Sequence, residues 1–174
     1  LRRARVAAGE KVLVVGIGSG VSCAALALAT HMGAEVFVTS RNEAKRARAL
    51  AMGAAAAFNS TDSSWPVRAD VVFDSVGPAT WQQATRSLKP GGRLVSCGST
   101  SGPNIELSMP RLFFKQWEII GSTVGSYQEF SEVSRLIELG LPVIIDEEFS
   151  IADYPAALQR LDAAEQFGNI VIMH

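Results

Sequence analysis

The chain has 174 residues, 48% of them hydrophobic, which suffices for one domain with a continuous core. Sixteen basic against seventeen acidic side chains leave a net charge of -1, which sets aside nucleic acid and anionic membranes as general electrostatic partners. Cys23 and Cys97 lie far apart and outside any C-x-x-C spacing, so they read as reduced, buried small residues of a cytoplasmic protein.

Lys11 to Val15 is aliphatic and β-branched, the pattern of a strand buried on both faces of a parallel sheet. Glycines follow at 16, 18 and 20, and then Val21, Ala24, Ala25, Leu28 and Met32 recur at helical spacing up to Gly33. The uncharged run from Val12 to Ala34 has the length of a membrane span, but the glycines cut it into a short strand and a helix, so a membrane segment is rejected. Glu35 to Thr39 supplies the next strand. Ser40 with Glu43 is expected to cap a helix running to about Met52, closed by Gly53.

Ala55 to Phe58 and Asp70 to Asp74 read as strands, Ala79 to Ser87 as a helix, and Arg93 to Cys97 as a strand after the turn Lys89-Pro-Gly-Gly92. Residues 98 to 110 read as a loop and Glu118 to Gly121 as a further strand. A helix is expected from Tyr127 to Leu139, with Phe130, Val133 and Ile137 on one side. A strand from Ile144 to Phe149, a helix capped by Ser150 carrying Ile151, Tyr154, Leu158 and Leu161, and a strand from Ile170 to Ile172 complete the chain. This alternation specifies an α/β, Rossmann-like doubly wound parallel sheet in three layers, α/β/α. Residues 1–126 are expected to form a nucleotide-binding domain, and 127–174 an extension packing on it or on a neighbouring domain.

Glycines in a strand-to-helix turn permit positive φ and close approach of a ligand to the main chain, while the helix end attracts an anion such as a pyrophosphate. No Gly-Lys-Ser/Thr follows, which excludes a P-loop. Gly16 and Gly18 fit the dinucleotide fingerprint G-x-G-x-x-G, but its third position holds Val21 and Gly20 comes one residue early. S-adenosylmethionine methyltransferases share a strand, G-x-G-x-G and a late Lys-Pro-Gly-Gly turn, so they remain an alternative. Methyltransferases and NAD enzymes usually end the second strand with an acid; here stand Thr39, Ser40 and Arg41, with Lys45 one turn on, a donor set suited to the 2′-phosphate of NADP(H). In the plainer alternative Ser40 only caps the helix and the two cations are only solvated.

The stretches GEKVLVVGIGSGVSCAALALATHMGAEVFVTSRNEAKRARALAMGA, DVVFDSVG, LKPGGRLVSCGSTSG, FFKQWEIIGSTVGS and FGNIVI occur in an order that resembles the cofactor domain of the medium-chain dehydrogenase/reductase family, nearest its quinone oxidoreductase and zinc-type alcohol dehydrogenase-like branches. The resemblance implies that main chain at Gly18, Ser19, Gly20 and Val21 faces the pyrophosphate, after the turn opened by Gly16. It places Thr39, Ser40, Arg41 and Lys45 around the adenosine ribose and its phosphate, and Ser75, Val76 and Gly77 under the middle of the cofactor. Gly98, Ser99, Thr100, Ser122 and Thr123 approach the nicotinamide, and Asp74 lines the site. NADP(H) is the expected cofactor ahead of NAD(H), with a small-molecule substrate.

Ser60 and Asn169 depart from the tyrosine and lysine frequent at these positions in relatives, which bears on individual NADP(H) contacts. The family's substrate domain and catalytic zinc ligands precede its cofactor domain, so this chain reads as a piece of a longer enzyme, inactive alone. His31 and His174 have no partners at ligand spacing, so no metal is assigned and no catalytic acid or base is named. A homodimer through Ile119 to Val124 is a further implication of the family. A non-enzymatic nucleotide sensor is a third reading.

Overall fold

The computed structural model describes residues 1–174. Strand β1 (Lys11–Val15) is followed by α1 (Gly20–His31), β2 (Glu35–Thr39), α2 (Glu43–Ala51), β3 (Ala56–Phe58) and β4 (Ala69–Asp74). A 3₁₀ turn at Pro78–Thr80 leads into α3 (Trp81–Ser87), then β5 (Leu88–Ser96), α4 (Met109–Phe114) and β6 (Glu118–Gly121). The order of the six strands is β3-β2-β1-β4-β5-β6, all parallel. This is the doubly wound arrangement expected, and its order reverses between β1 and β4, where a crevice opens at the carboxyl ends.

Burial on both faces explains the unbroken aliphatic strands. Val12 and Val14 pack with Leu26, Ala29 and Val38 on the side of α1, while Leu13 and Val15 pack with Phe37, Trp65, Trp81 and Trp117 on the other. The face of α1 laid on the sheet carries Ser22, Cys23, Ala25, Leu26 and Ala29, whereas Val21 and Met32 are exposed. Of the expected apolar set Ala25 does face the core, whereas Val21, Ala24, Leu28 and Met32 lie off that face. Small residues let the helix approach the strands closely, and Ala24 and Leu28 instead line a cavity of about 130 Å³ with Val133 and Ile137. No helix is long and apolar enough to cross a membrane.

Four boundaries differ from expectation. Ser40 is still extended, its N–H bonded to Phe58 O at 3.1 Å, so Asn42 caps α2 by accepting from Lys45 N at 3.1 Å. The Lys89-Pro-Gly-Gly92 turn is a bulge inside β5, which starts at Leu88. Residues 109–110, read as loop, begin α4, because Ser108 caps it and proline is favoured at the first helical positions. Ser150 precedes a 3₁₀ turn at Ile151–Asp153, and its hydroxyl bonds Asp153 Oδ2 at 2.6 Å instead of capping the helix backbone.

The C-terminal third comprises α5 (Tyr127–Glu138), β7 (Ile145–Ser150), α6 (Tyr154–Asp162) and β8 (Asn169–Met173), with β7 and β8 paired in a separate two-stranded parallel sheet. It packs back beside the glycine turn: Phe167 is fully buried in the α1-side core, and Gly168 N donates to Gly18 O at 3.0 Å. Ile151, Tyr154, Leu158 and Leu161 stay more than half exposed, and Phe130 is exposed as well.

Candidate functional site

The carboxyl ends of β2, β1, β4, β5 and β6 lie side by side in that order. Parallel strands about 4.8 Å apart make this a row roughly 19 Å long.

The turn after β1 is fixed from below. Gly16 has φ +76°, and a Cβ there would stand 2.6 Å from Val76 Cγ2 of the β4 end, so only glycine fits. Thr39 is fully buried and its Oγ1 accepts from Gly16 N at 3.1 Å. It therefore shapes the turn and presents no surface to a ribose, correcting the expected role. Ser22 carries the other half of this scaffold: its Oγ accepts from Gly18 N at 3.1 Å and Ser19 N at 3.0 Å, while Ser22 N donates to Ser19 Oγ at 3.2 Å. The main-chain donors of Gly18 and Ser19 are thus spent internally. Those of Gly20 and Val21, in the first turn of α1, have no intrahelical acceptor, and the bridge between Ser19 and Gly168 brings the C-terminal segment against the first of them. Ser22 was missed in the sequence, although its place three residues after Ser19 is capping-box spacing. Ser22→Ala is expected to cost about 2 kcal/mol by stranding the buried Gly18 N–H and the part-buried Ser19 N–H, seen as a lower melting temperature and a more mobile turn.

Gly168, missed in the sequence, and Asn169, noted there as a departure from a lysine, are both neighbours of this turn. The Asn169 side-chain oxygen occupies the space that a Cβ on Gly20 would need. Lys45 lies here too. Its Nζ donates to Ala164 O at 2.8 Å and stands 2.9 Å from the position of a Cβ on Gly18. The ammonium consequently overhangs the glycine turn, tied there by a main-chain carbonyl, while remaining within the electrostatic reach of Arg41. Burial lowers the Lys45 pKa, with Asp146 opposing. Arg41 is exposed beyond the end of β2, and Ser40 is nearly buried with its Oγ accepting from Asn42 N at 3.2 Å. Arg46, not singled out in the sequence, donates to Ser40 O at 2.8 Å.

At the end of β4, buried Asp74 accepts from Val76 N and Gly77 N, each at 3.1 Å, folding Ser75–Gly77 into a tight turn with Gly77 at φ +85°. Burial raises the Asp74 pKa against these hydrogen bonds. Thr100 Oγ1 donates to Ser75 O at 2.8 Å and Ser101 Oγ to Val76 O at 2.6 Å, tying the 98–102 loop to that turn. Gly98 is pressed against Ser75, where a Cβ would come 3.0 Å from the carbonyl oxygen. Gly98, Ser99, Ser122 and Thr123 line one open cleft of about 1060 Å³, which also contains Cys97 and Arg3. Burial raises the Cys97 thiol pKa, and that of Cys23 is pushed up to about 11, so neither is a ready nucleophile.

No three His, Cys, Asp or Glu side chains converge anywhere in the chain. A zinc ion finds no ligand set among these residues.

Residues 20–139 match the family described as zinc-binding dehydrogenase. The chain is 32% identical to the zinc-type alcohol dehydrogenase-like protein YogA of Leptosphaeria maculans, over 94% of this chain and 51% of that protein. The structure resembles an NAD-dependent alcohol dehydrogenase with a TM-score of 0.92 at 30% identity, covering 99% of this chain and 53% of that one. It also resembles a thermostable alcohol dehydrogenase from Pyrobaculum aerophilum, TM-score 0.89 at 33% identity, with 99% and 53% covered. The chain therefore spans about half the length of these relatives.

Proposed function

Since the chain belongs to the zinc-binding dehydrogenase family, within the medium-chain dehydrogenases/reductases, we propose that it holds NADPH for an enzyme transferring hydride to or from a carbonyl, alcohol or activated alkene substrate. The observation that carries the reading is the row of strand ends, in which one free helix terminus stands between an acid-free β2 end and the polar cleft of β5 and β6. Family membership removes the basis for the methyltransferase alternative.

In this reading Gly20 and Val21 N–H groups bind the pyrophosphate, with Lys45 above them as its cation. Arg41 takes the 2′-phosphate in bidentate fashion. Val76 and Gly77 support the middle of the cofactor, and Gly98, Ser99, Ser122 and Thr123 hold the nicotinamide face toward the cleft. The bound nicotinamide supplies the hydride chemistry; the residues of this chain orient it and limit water around it. The zinc in the family's name has no ligands here, and no step runs through it.

Calorimetric titration separates the two cations. Arg41→Ala is expected to weaken NADPH binding by about tenfold to a hundredfold and leave NADH nearly unchanged. Lys45→Ala is expected to weaken both nucleotides alike. Equal affinity of the unaltered chain for NADPH and NADH would remove the 2′-phosphate assignment, and a selective loss in Lys45→Ala would return that residue to the ribose.

A further inference from the structure

The near-neutral total hides a strong local asymmetry. A cleft of about 760 Å³ is lined by Arg68, Arg86, Lys89, Arg111 and Lys115, so it gathers five of the sixteen basic side chains and none of the seventeen acidic ones. Its walls come from the segments entering β4, β5 and β6, at 64–68, 86–90 and 111–117. These strands are parallel, so the cleft lies at their amino ends, a full strand length of roughly 20 Å from the glycine turn. It is a separate place from the dinucleotide row.

Three of the five cations, Arg68, Lys89 and Arg111, are held in position. Arg68 donates to the Arg86 carbonyl, which sets those two residues side by side. The Arg111 guanidinium lies 5.2 Å from the centroid of the Trp117 ring, and Trp117 is buried with its Nε1 donating to Lys89 O at 2.9 Å. Lys89 is the one member neutralised, by Asp70 at 2.8 and 2.9 Å. Arg86 and Lys115 are exposed and form no ion pair. Gathering four uncompensated cations in a concavity raises the local anion potential well above that of a flat surface. The volume falls in the range of small-molecule sites, about 300–1,000 Å³, which favours a compact ligand over an extended chain. Arginines in such an array match the geometry of phosphate oxygens.

We propose that this cleft is a second anion site that takes a small molecule carrying two or more phosphate groups, independent of the nicotinamide cofactor. A multivalent anion would bridge the β4, β5 and β6 entries.

The test is titration of the isotopically labelled 174-residue chain with inorganic tripolyphosphate, read by backbone amide shifts, beside citrate and heparin. Saturable shifts at 64–68, 86–90 and 111–117 are expected, weakened about tenfold in Arg86→Ser/Lys115→Ser while any response at 16–22 is unchanged. Both replaced side chains are exposed, so the fold should persist, as the retained amide spectrum would verify. Shifts confined to the glycine turn would overturn the proposal, as would an unweakened response in the double variant. Citrate binding as tightly as tripolyphosphate would remove the phosphate assignment, and response to heparin alone would make the surface a polyanion contact instead.

Discussion

Gly16→Val is expected to abolish measurable dinucleotide binding and lower the stability of the chain by about 3 kcal/mol, combining backbone strain with overpacking. A side chain at φ +76° is strained in itself, and its Cβ would meet Val76 Cγ2 at 2.6 Å. Relief requires the β1 turn to move away from the β4 end. That movement would break the Thr39 and Ser22 contacts with Gly16, Gly18 and Ser19, so the Gly20 and Val21 donors lose their aim. Losing two charge-assisted hydrogen bonds corresponds to a dissociation constant raised about a hundredfold or more. Gly91→Ala is the matched control: φ is +70° there, but a Cβ would meet nothing within 4 Å. It should cost about 1 kcal/mol and leave nucleotide affinity intact. Equal effects of the two variants on binding would show that the contact with Val76 is unimportant.

Asp146→Ala is expected to destabilise the chain by about 2 kcal/mol and to weaken nucleotide binding from a distance. Its carboxylate is 2% exposed and accepts from Arg48 Nη1 of α2 at 3.0 Å and Arg160 Nε of α6 at 2.7 Å. Arg48 in turn lies 4.7 Å from the ring centroid of Phe167, the residue preceding Gly168 and its bond to Gly18. The ion pair therefore latches the C-terminal segment onto the glycine turn. Burial acts to raise the Asp146 pKa, but the bonds from Arg160, the Phe167 N–H and Arg48 outweigh it and hold the group below its ordinary 3.8. With the folded-state value depressed, the native state releases the proton more readily than the unfolded chain. The stabilisation is present above pH of about 3.8 and is lost as pH falls through the folded value. Asp70, lowered mainly by Lys89 against its burial, shifts in the same direction. Chemical denaturation followed across acid pH should show a shallower acid limb in Asp146→Ala, with a residue of the slope left from Asp70. An unchanged acid limb would exclude the latch.

The strand-turn-helix core was legible because burial on both faces writes itself as unbroken aliphatic runs, and glycine marks the turns between them. The sequence also pointed to the glycine turn, to Val76 and Gly77, and to the polar ends of β5 and β6. What it hid was the use of each polar group. Thr39 looks like a possible ligand contact in a one-dimensional pattern and Ser22 carries no signal beyond its spacing from Ser19, yet both are consumed in fixing main-chain donors. The face of α1 was misread because Ala and Ser are the packing residues there, and size, not hydrophobicity, decides how closely that helix approaches the sheet. The location of Lys45, Gly168 and Asn169 at one turn depends on contacts between distant segments, which no local period records. Likewise, a net charge of -1 gives no hint that basic residues from three strand entries converge.

The measurement that bears most directly on the cofactor site is a titration of the labelled chain with NADPH, followed at individual backbone amides. The row of strand ends predicts that Gly20, Val21, Val76, Gly77, Gly98, Ser99, Ser122 and Thr123 shift together along one saturation curve. Saturable binding that leaves Gly20 and Val21 unmoved would contradict the placement of the pyrophosphate at the start of α1, and with it the proposed function.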